Sequence, residues 1–158
     1  MSRSPRSKDR HSAAGEIVAG KRRKSPPHEF VLDALAPMAP TTRAMFGCLA
    51  IYIEEKIVMI LRDRSDWPED NGVWLATTAE HHASLLREFP RMRSIRLLGY
   101  ETTHWQVLPA DAPEFEHMAL RACELIHARD PRIGKIPKSR RAGKSRAAKN
   151  RSPRRKAR

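Results

Sequence analysis

Histidine side chains are the first candidates for metal chemistry in this sequence, which contains seven of them. His81 and His82 are adjacent, and neighbouring helix residues point about 100° apart, whereas a chelating pair needs a spacing of about four residues. His117 and His127 lie on another predicted helix and offer no better pair. We therefore predict no metal site.

Carboxylates cluster in the segment DRSDWPEDNG, residues 63–72, which also carries Pro and Asn-Gly turn signals. The acids do not follow the order of a calcium-binding loop, so we interpret the segment as a solvated acidic turn. Trp67 is the odd member, because an aromatic side chain in a polar loop either folds back onto the core or contacts a partner. The sequence leaves both alternatives open.

Four arginines surround the end of the middle predicted helix and the start of the next strand. Cations near a helix C-terminus complement its dipole, which is one explanation for them. The other explanation is an anion or phosphate site on an otherwise acidic domain. The residues of this possible anion site are Arg87, Arg91, Arg93 and Arg96.

Sequence signatures of catalysis are missing. The chain contains no nucleophile elbow, no HExxH helix and no glycine-rich phosphate loop. We therefore expect a protein that is not an enzyme, with no catalytic residue and no cofactor. Because catalytic triads are assembled in space, an uncharacterised enzyme remains an alternative.

Positive charge is confined to the two ends of the chain. Residues 1–27 hold eight Lys or Arg against Asp9 and Glu16, residues 28–137 hold 12 against 16 acids, and residues 138–158 hold eleven and no acid. Such a basic segment binds the phosphate backbone of nucleic acids without sequence preference. The predicted DNA- or RNA-binding residues are Lys138, Arg140, Arg141, Lys144, Arg146, Lys149, Arg151, Arg154, Arg155, Lys156 and Arg158.

A Ser-Pro-basic element occurs in both ends of the chain. SPRRK at residues 152–156 resembles the elements of linker-histone-like tails, and RSPR at residues 3–6 repeats it. Proline keeps such a segment extended, so that arginine can follow a phosphate backbone or enter a narrow minor groove. The alternative is a solubilising polycation, which would also bind nucleic acid.

The composition indicates one folded domain between two tails. Residues 1–24 and 138–158 are expected to be disordered, and residues 25–137 to form the domain. The chain has no apolar run long enough for a membrane span and no apolar segment typical of a secretory signal. Cys48 and Cys123 show no metal or disulfide spacing. We expect a cytoplasmic protein, with association with the nucleoid as an alternative.

Residue periodicity predicts an α+β fold, in the order helix, three strands, helix, two strands, helix, with a mainly antiparallel five-stranded sheet. Ser25 and Pro26 are the expected start of the first helix. Thr77 and Glu80 form an expected capping box for the second. Asp111 and Glu114 precede the third. The predicted strands span residues 43–53, 56–62, 73–77, 94–99 and 103–109.

The first two predicted strands are apolar on both faces, so each face must be covered. Helices can cover one face of a small sheet, but a domain of this length has little chain left for the other. An exposed apolar face of that size usually marks an interface. We therefore expect a homodimer through the sheet.

The run MFGCLAIYI, followed by EEKIVMILRD, resembles the N-terminal domain family of the TfoX/Sxy competence regulators. The resemblance covers about residues 28–127 and implies a fold similar to the secretion-chaperone-like α+β fold, with a regulatory or binding role. The family has no established catalytic residues to carry over. Cys48 and Leu49 depart from its small-residue pattern, and the loop at residues 63–72 is longer. A basic tail stands where competence regulators have a second domain, so a competence role is not implied.

These observations predict a small regulatory or binding protein that is not an enzyme, whose basic tails bind nucleic acid non-specifically. The alternative is a regulator of other proteins whose tails serve only as an anchor. Its protein partners are not identified by the sequence, and neither is a preference between DNA and RNA.

Overall fold

Three α-helices and six β-strands make up the described part of the fold. The computed structural model describes residues 24–102 and 104–138. The helices are α1 (Glu29–Leu35), α2 (His82–Glu88) and α3 (Phe115–His127). The strands are β1 (Thr41–Met45), β2 (Cys48–Ile53), β3 (Lys56–Arg62), β4 (Gly72–Ala76), β5 (Arg93–Ser94) and β6 (Trp105–Pro109). They form one antiparallel sheet in the order β1-β2-β3-β4-β6-β5, which confirms the α+β class.

The predicted five-stranded sheet is wrong by one strand at the N-terminal end. The segment expected as a single strand over residues 43–53 folds back on itself at Phe46 and Gly47, which have φ angles of 49° and 75°. Two consecutive positive φ angles give a tight turn whose twist matches an antiparallel hairpin. The order is therefore helix, four strands, helix, two strands, helix.

The second predicted hairpin is much shorter than expected. On the β5 side of β6 the pairing is limited to Arg93 and Ser94, and the backbone turns at Gly99. The amide groups of Arg96 and Leu97 donate instead to the side chain of Asp70, at 2.8 and 2.7 Å. Because those amides already have an acceptor, this segment does not extend the strand.

Two helix starts differ from the prediction. The residue before α1 is His28, in a left-handed conformation, and not Ser25. The Thr77 hydroxyl donates to the backbone oxygen of Arg132 at 2.8 Å, so it does not cap a helix. Instead, a 3-10 turn over Ala79–His81 leads into α2. The sequence indicates these helix starts from local signals, at Ser25 and Pro26 and at Thr77 and Glu80. In the structure, contacts with residues far along the chain decide where the two helices begin.

Other local signals are confirmed. The Glu54-Glu55 turn joins β2 to β3, and α2 ends before Pro90. The predicted stripe of α3 is buried where the helix meets the sheet. The buried members of that stripe are Met118, Ala119, Ala122 and Ile126.

One face of the sheet is covered by the helices. Its core contains Ile51, Met59 and Leu75 from the strands, together with Leu35 of α1 and Leu85 near α2's centre. The His127 imidazole bonds to the backbone oxygen of Ala34 at 2.8 Å and so ties α3 to α1. No helix in residues 24–102 and 104–138 is long and apolar enough to cross a membrane.

The opposite face, here called the second face, is covered by the chain's own irregular segments. Its core joins strand residues such as Ala50, Ile60 and Trp74 to Ile95, which follows β5. After α3 the chain returns to the sheet, where Lys135 pairs with Ile57 through two backbone hydrogen bonds of 2.9 Å. The expectation of a bare second face is therefore wrong, although apolar side chains stay exposed at its rim.

Candidate functional site

An apolar cleft of about 450 Å³ lies on the second face, between the β1–β2 turn and the segment after β5. The indole rings of Trp74 and Trp105 line it, with ring centroids 6.4 Å apart. Phe46 lines its edge and is 93% exposed, because it occupies the tip of the turn. We refer to this feature as the tryptophan cleft.

Arg62 closes one end of the tryptophan cleft as a buried cation. Its side chain is 1% exposed and donates to the backbone oxygens of Trp67 at 3.1 Å and Asp66 at 2.5 Å. It also donates to the Asn71 side-chain oxygen at 2.6 Å. Arg62 Nε is buried without a hydrogen-bond partner, and in residues 24–102 and 104–138 no other buried side-chain nitrogen or oxygen is unpaired. The end of the strand run KIVMILR thus holds the acidic loop in place.

Arg64 is the exposed cation at the same end. Its Nε lies 2.7 Å from Asp66, and this hydrogen bond lowers the pKa of the Asp66 carboxyl. A side chain at Gly47 would collide with the Arg64 guanidinium, so the glycine lets the two loops approach. Two guanidinium groups against one carboxylate leave one excess positive charge at this end.

Cys48 gives the tryptophan cleft a thiol. Cys48 is half-buried, and its burial raises the pKa of the thiol, while Arg62 and Arg64 act in the opposite direction. Cys123 is buried in α3, and burial raises the pKa of its thiol to about 12. Because thiolates are the reactive form, Cys48 is the more reactive of the two cysteines.

The sequence indicates a solvated acidic turn at residues 63–72, but the structure buries part of this loop. Asp70 is fully buried and pairs with Arg93 at 3.0 Å. The backbone oxygen of Asp70 also accepts from the Trp74 indole at 2.7 Å. Trp67, for which two alternatives were open, is 46% exposed, so half of its surface is available to a partner.

The four arginines of the possible anion site are separated in the structure. Arg93 and Arg96 line one cleft of about 410 Å³, together with Trp67, Tyr100 and Glu101. Arg93 is already engaged by Asp70 and by the backbone oxygens of Ser94 and Glu69, whereas Arg96 is exposed.

Arg87 lies on α2 and Arg91 follows it; both are exposed, and neither is among the described residues that line this cleft. An anion site formed by all four stays a prediction.

Both ends of the described chain adjoin the tryptophan cleft. Lys24 lines another cleft with Gly47 and Arg64, and Arg64 also lines the tryptophan cleft. Lys138 lines a third cleft with Tyr52 and Trp105, and Trp105 also lines the tryptophan cleft. The basic segments 1–23 and 139–158 therefore continue from two points beside one cleft.

Of the predicted nucleic-acid-binding residues, Lys138 lies inside the described part of the chain. The others lie outside the described residues. They are Arg140, Arg141, Lys144, Arg146, Lys149, Arg151, Arg154, Arg155, Lys156 and Arg158.

An ion-pair network on the helical side links α2 to the segment after α3. Arg132 donates to Glu88 at 2.8 Å and to Asp130 at 2.7 Å, and these hydrogen bonds lower the pKa of both carboxyls. Arg121 adds a bond to Glu88 at 3.1 Å. The network is structural, because each of its charges has a partner of opposite sign.

A metal site is not apparent in residues 24–102 and 104–138, where no three His, Cys, Asp or Glu side chains come together. In comparisons with known proteins, no family model, curated protein or solved structure matches this chain. The resemblance to the TfoX/Sxy family therefore stays a hypothesis.

Sequence reasoning missed the tryptophan cleft because its lining comes from distant segments. Arg62 stands at the end of an apolar strand, where a cation is normally solvent-exposed, so the sequence carried no signal of its burial. Asp70 was grouped with its exposed neighbours, although it directly precedes the Asn-Gly turn and a buried strand. For both Arg62 and Asp70, the contacts that explain their burial are made with loops whose proximity the sequence alone does not show.

Proposed function

We propose that the protein is a small regulatory or binding protein without catalytic activity, which attaches to DNA or RNA through its two basic segments. The distribution of charge carries this proposal: residues 138–158 hold eleven Lys or Arg and no acid, while residues 28–137 are mildly acidic. Such a distribution separates a nucleic-acid-binding tail from a domain that does not itself attract phosphate.

The geometry of the chain ends supports the proposal. Lys24 and Lys138 each line a cleft that shares a residue with the tryptophan cleft, so both basic segments leave the domain at clefts that border it. Two cationic segments on one domain can contact one nucleic-acid strand together. Their combined affinity then exceeds that of either one, because the second contact is intramolecular.

A relation to the TfoX/Sxy N-terminal domains is part of this proposal. Met45, Phe46 and Gly47 carry the resemblance, and in the structure they end β1 and form the following turn. The α+β class and the antiparallel sheet agree with the fold that the resemblance implies. Under this proposal the domain has a regulatory or binding role.

Self-association is a second element of the proposal, favoured by one observation. Apolar side chains remain exposed along the rim of the second face, which is unusual for large residues in a monomer. These residues are Phe46, Leu98, Tyr100 and Ile136, with exposed fractions of 93, 45, 66 and 47%. A homodimer through this rim would cover them.

Titration of fluorescein-labelled DNA and RNA with charge-altered variants of the full chain tests the proposal. A variant in which Arg140, Arg141, Arg154, Arg155 and Lys156 are all replaced by Gln should bind both nucleic acids much more weakly at low salt. A control replaces Lys56 and Arg129, two exposed cations of the domain that lie outside the possible anion site, and should bind like the unaltered protein. Equal affinity of the first variant and the unaltered protein would exclude the basic C-terminal segment as the binding element.

A further inference from the structure

We infer that the tryptophan cleft and its exposed aromatic rim bind unpaired bases, so that the protein prefers single-stranded to double-stranded nucleic acid. The inference rests on the proposed function, because the basic segments are taken to hold the strand near the cleft. It adds a specific site and a class of ligand, which charge alone does not define.

Exposed aromatic rings are the first observation. Phe46, Tyr100 and Trp67 are 93, 66 and 46% exposed, although burial of large aromatic rings is normally favourable. Phe46 stands at the edge of the tryptophan cleft, while Tyr100 and Trp67 line the neighbouring cleft. Proteins that bind single strands stack successive bases on such rings, since each base offers a π-face.

Cations beside the aromatic rings are the second observation. Arg64 lies at the tryptophan cleft and is 41% exposed, and Arg96 lies with Tyr100 and Trp67. Lys24 and Lys138 line clefts that share a residue with the tryptophan cleft. Rings and cations in the same clefts offer both surfaces on which bases stack and groups that contact phosphate.

The shape of the tryptophan cleft is the third observation. Its volume of about 450 Å³ lies within the range of small-ligand sites, and two indole rings form part of its wall. Arg64 and Asp66 supply exposed polar groups at one end, where the edge of a base could bond. In a duplex the bases are stacked and paired inside the helix, so they cannot enter such a cleft without being extruded.

Three acidic groups lie near the proposed path and limit where phosphate can pass. Asp66 is paired with both Arg62 and Arg64, so its charge is balanced. Asp63 is exposed and lines the cleft of Lys24 and Arg64. Glu101 lines the cleft of Arg96 and repels a phosphate there. Glu101→Gln should therefore strengthen single-strand binding.

Replacement of Phe46 separates the inference from the proposed function. Phe46→Asn removes the ring and creates an Asn-Gly sequence, which is the preferred one for a turn with two positive φ angles, so folding should be preserved. In anisotropy titrations of the full chain, this variant should bind a short oligothymidylate about 5- to 150-fold more weakly. Its affinity for a duplex of the same length should stay within about twofold.

Leu86→Ala is the matched control, because Leu86 is a 42% exposed apolar residue of α2 on the helical side. It should change neither affinity. The tail variant is the one whose five C-terminal Arg and Lys residues are replaced by Gln. If it binds both nucleic acids more weakly, while Phe46→Asn weakens the binding of neither or of both equally, the proposed function stands and the inference is wrong. If the tail variant binds both nucleic acids normally, the proposed function itself fails.

Thiol labelling locates the bound strand. Cys48 lines the tryptophan cleft, and Cys123 is buried with a thiol pKa of about 12, so a maleimide should react mainly at Cys48. Oligothymidylate should slow this reaction at least severalfold, and the duplex should not. Labelling that slows with rising protein concentration, but not with oligothymidylate, would assign the cleft to a second copy of the chain and overturn the inference.

Discussion

The Asp70 carboxylate and the Arg93 guanidinium form an ion pair of 3.0 Å between two residues that are 23 positions apart. Asp70 is fully buried and also accepts the backbone amides of Arg96 and Leu97. These bonds hold the segment after β5 against the second face, where Ile95 is buried. One wall of the tryptophan cleft therefore depends on a single carboxylate in a loop.

Asp70→Ala should destabilise the fold by about 3–5 kcal/mol, because it leaves a guanidinium and two amides without their acceptor. Urea unfolding of the full chain measures this change. Asp63→Ala is the control in the same loop; Asp63 is exposed, so its removal should change the free energy of unfolding by less than about 0.5 kcal/mol. A similar loss in both variants would contradict a special role for Asp70.

Gly47→Ala should cost about 1–2 kcal/mol of stability. Gly47 has a φ angle of 75°, which is unfavourable for a residue with a Cβ, and a side chain there would meet the Arg64 guanidinium. Gly99→Ala is an informative comparison, since Gly99 has a φ of 72° but open space around its Cβ position. Thermal unfolding should show losses of similar size at the two positions, because the exposed Arg64 side chain can move aside, and a much larger loss at Gly47 would mean that the Arg64–Asp66 contact itself stabilises the turn.

Gly47 and Asp70 also show why the fold was only partly predictable. Strands β3, β4 and β6 and helix α3 followed from apolar periodicity, which is a local property of the chain. The β1–β2 turn was missed because a Phe occupies a position where Asn or Asp would have signalled a hairpin. The burial of Asp70 was missed because its partners lie 23 to 27 residues further along the chain.

The candidate site was less predictable than the fold for the same reason. The basic ends could be recognised from composition alone. The tryptophan cleft joins residues from β1 to β6 with a segment that leaves the sheet after Ser94, and no sequence spacing marks that assembly. The sequence grouped Arg93 and Arg96 with Arg87 and Arg91 as a possible anion site, and it did not show that Arg93 pairs with Asp70 while Arg96 is exposed.

Binding to DNA should weaken steeply with salt, because each phosphate that Lys or Arg neutralises releases a counterion. Replacing Arg140, Arg141, Arg154, Arg155 and Lys156 by Gln should reduce the slope of log K against log salt by up to about 4.5 for duplex DNA. The Lys56 and Arg129 control should retain the full slope. An unchanged slope in the tail variant would show that other groups make the phosphate contacts.

Acid should destabilise the protein partly through Arg132. Its hydrogen bonds lower the pKa of Glu88 and Asp130 in the folded state, so their contribution is present above the unfolded values near 4 and is lost as the pH falls. Arg132→Gln should reduce stability by about 1–2 kcal/mol at neutral pH and make it less dependent on pH below about 5.

Urea unfolding of the unaltered protein and Arg132→Gln across this pH range measures the effect, and the two curves should converge in acid. Arg87→Gln is the control on α2, since Arg87 is exposed. Parallel curves for the unaltered protein and Arg132→Gln would mean that the carboxyls are stabilised by other groups.

Self-association is expected through the rim of the second face, and exposed residues of that rim are the ones that test it. Ile51 and Met59 belong to the helix-covered core and are fully buried, so an aspartate at either position should unfold the protein in any oligomeric state. Leu98 is 45% exposed at the rim, and Leu98→Asp should leave the monomer folded while removing an apolar contact. Sedimentation of the full chain without nucleic acid should show a dimer, and Leu98→Asp should shift it toward monomer.

Leu86→Asp on the helical side is the matched control and should leave the dimer intact. Because the rim borders the tryptophan cleft, a strand bound there would compete with the second copy. Oligothymidylate should therefore shift the unaltered protein toward monomer. The Phe46→Asn variant should need a higher concentration of oligothymidylate for the same shift. An unaltered protein that sediments as a monomer at micromolar concentration would exclude the dimer, and the exposed rim would then belong to other partners.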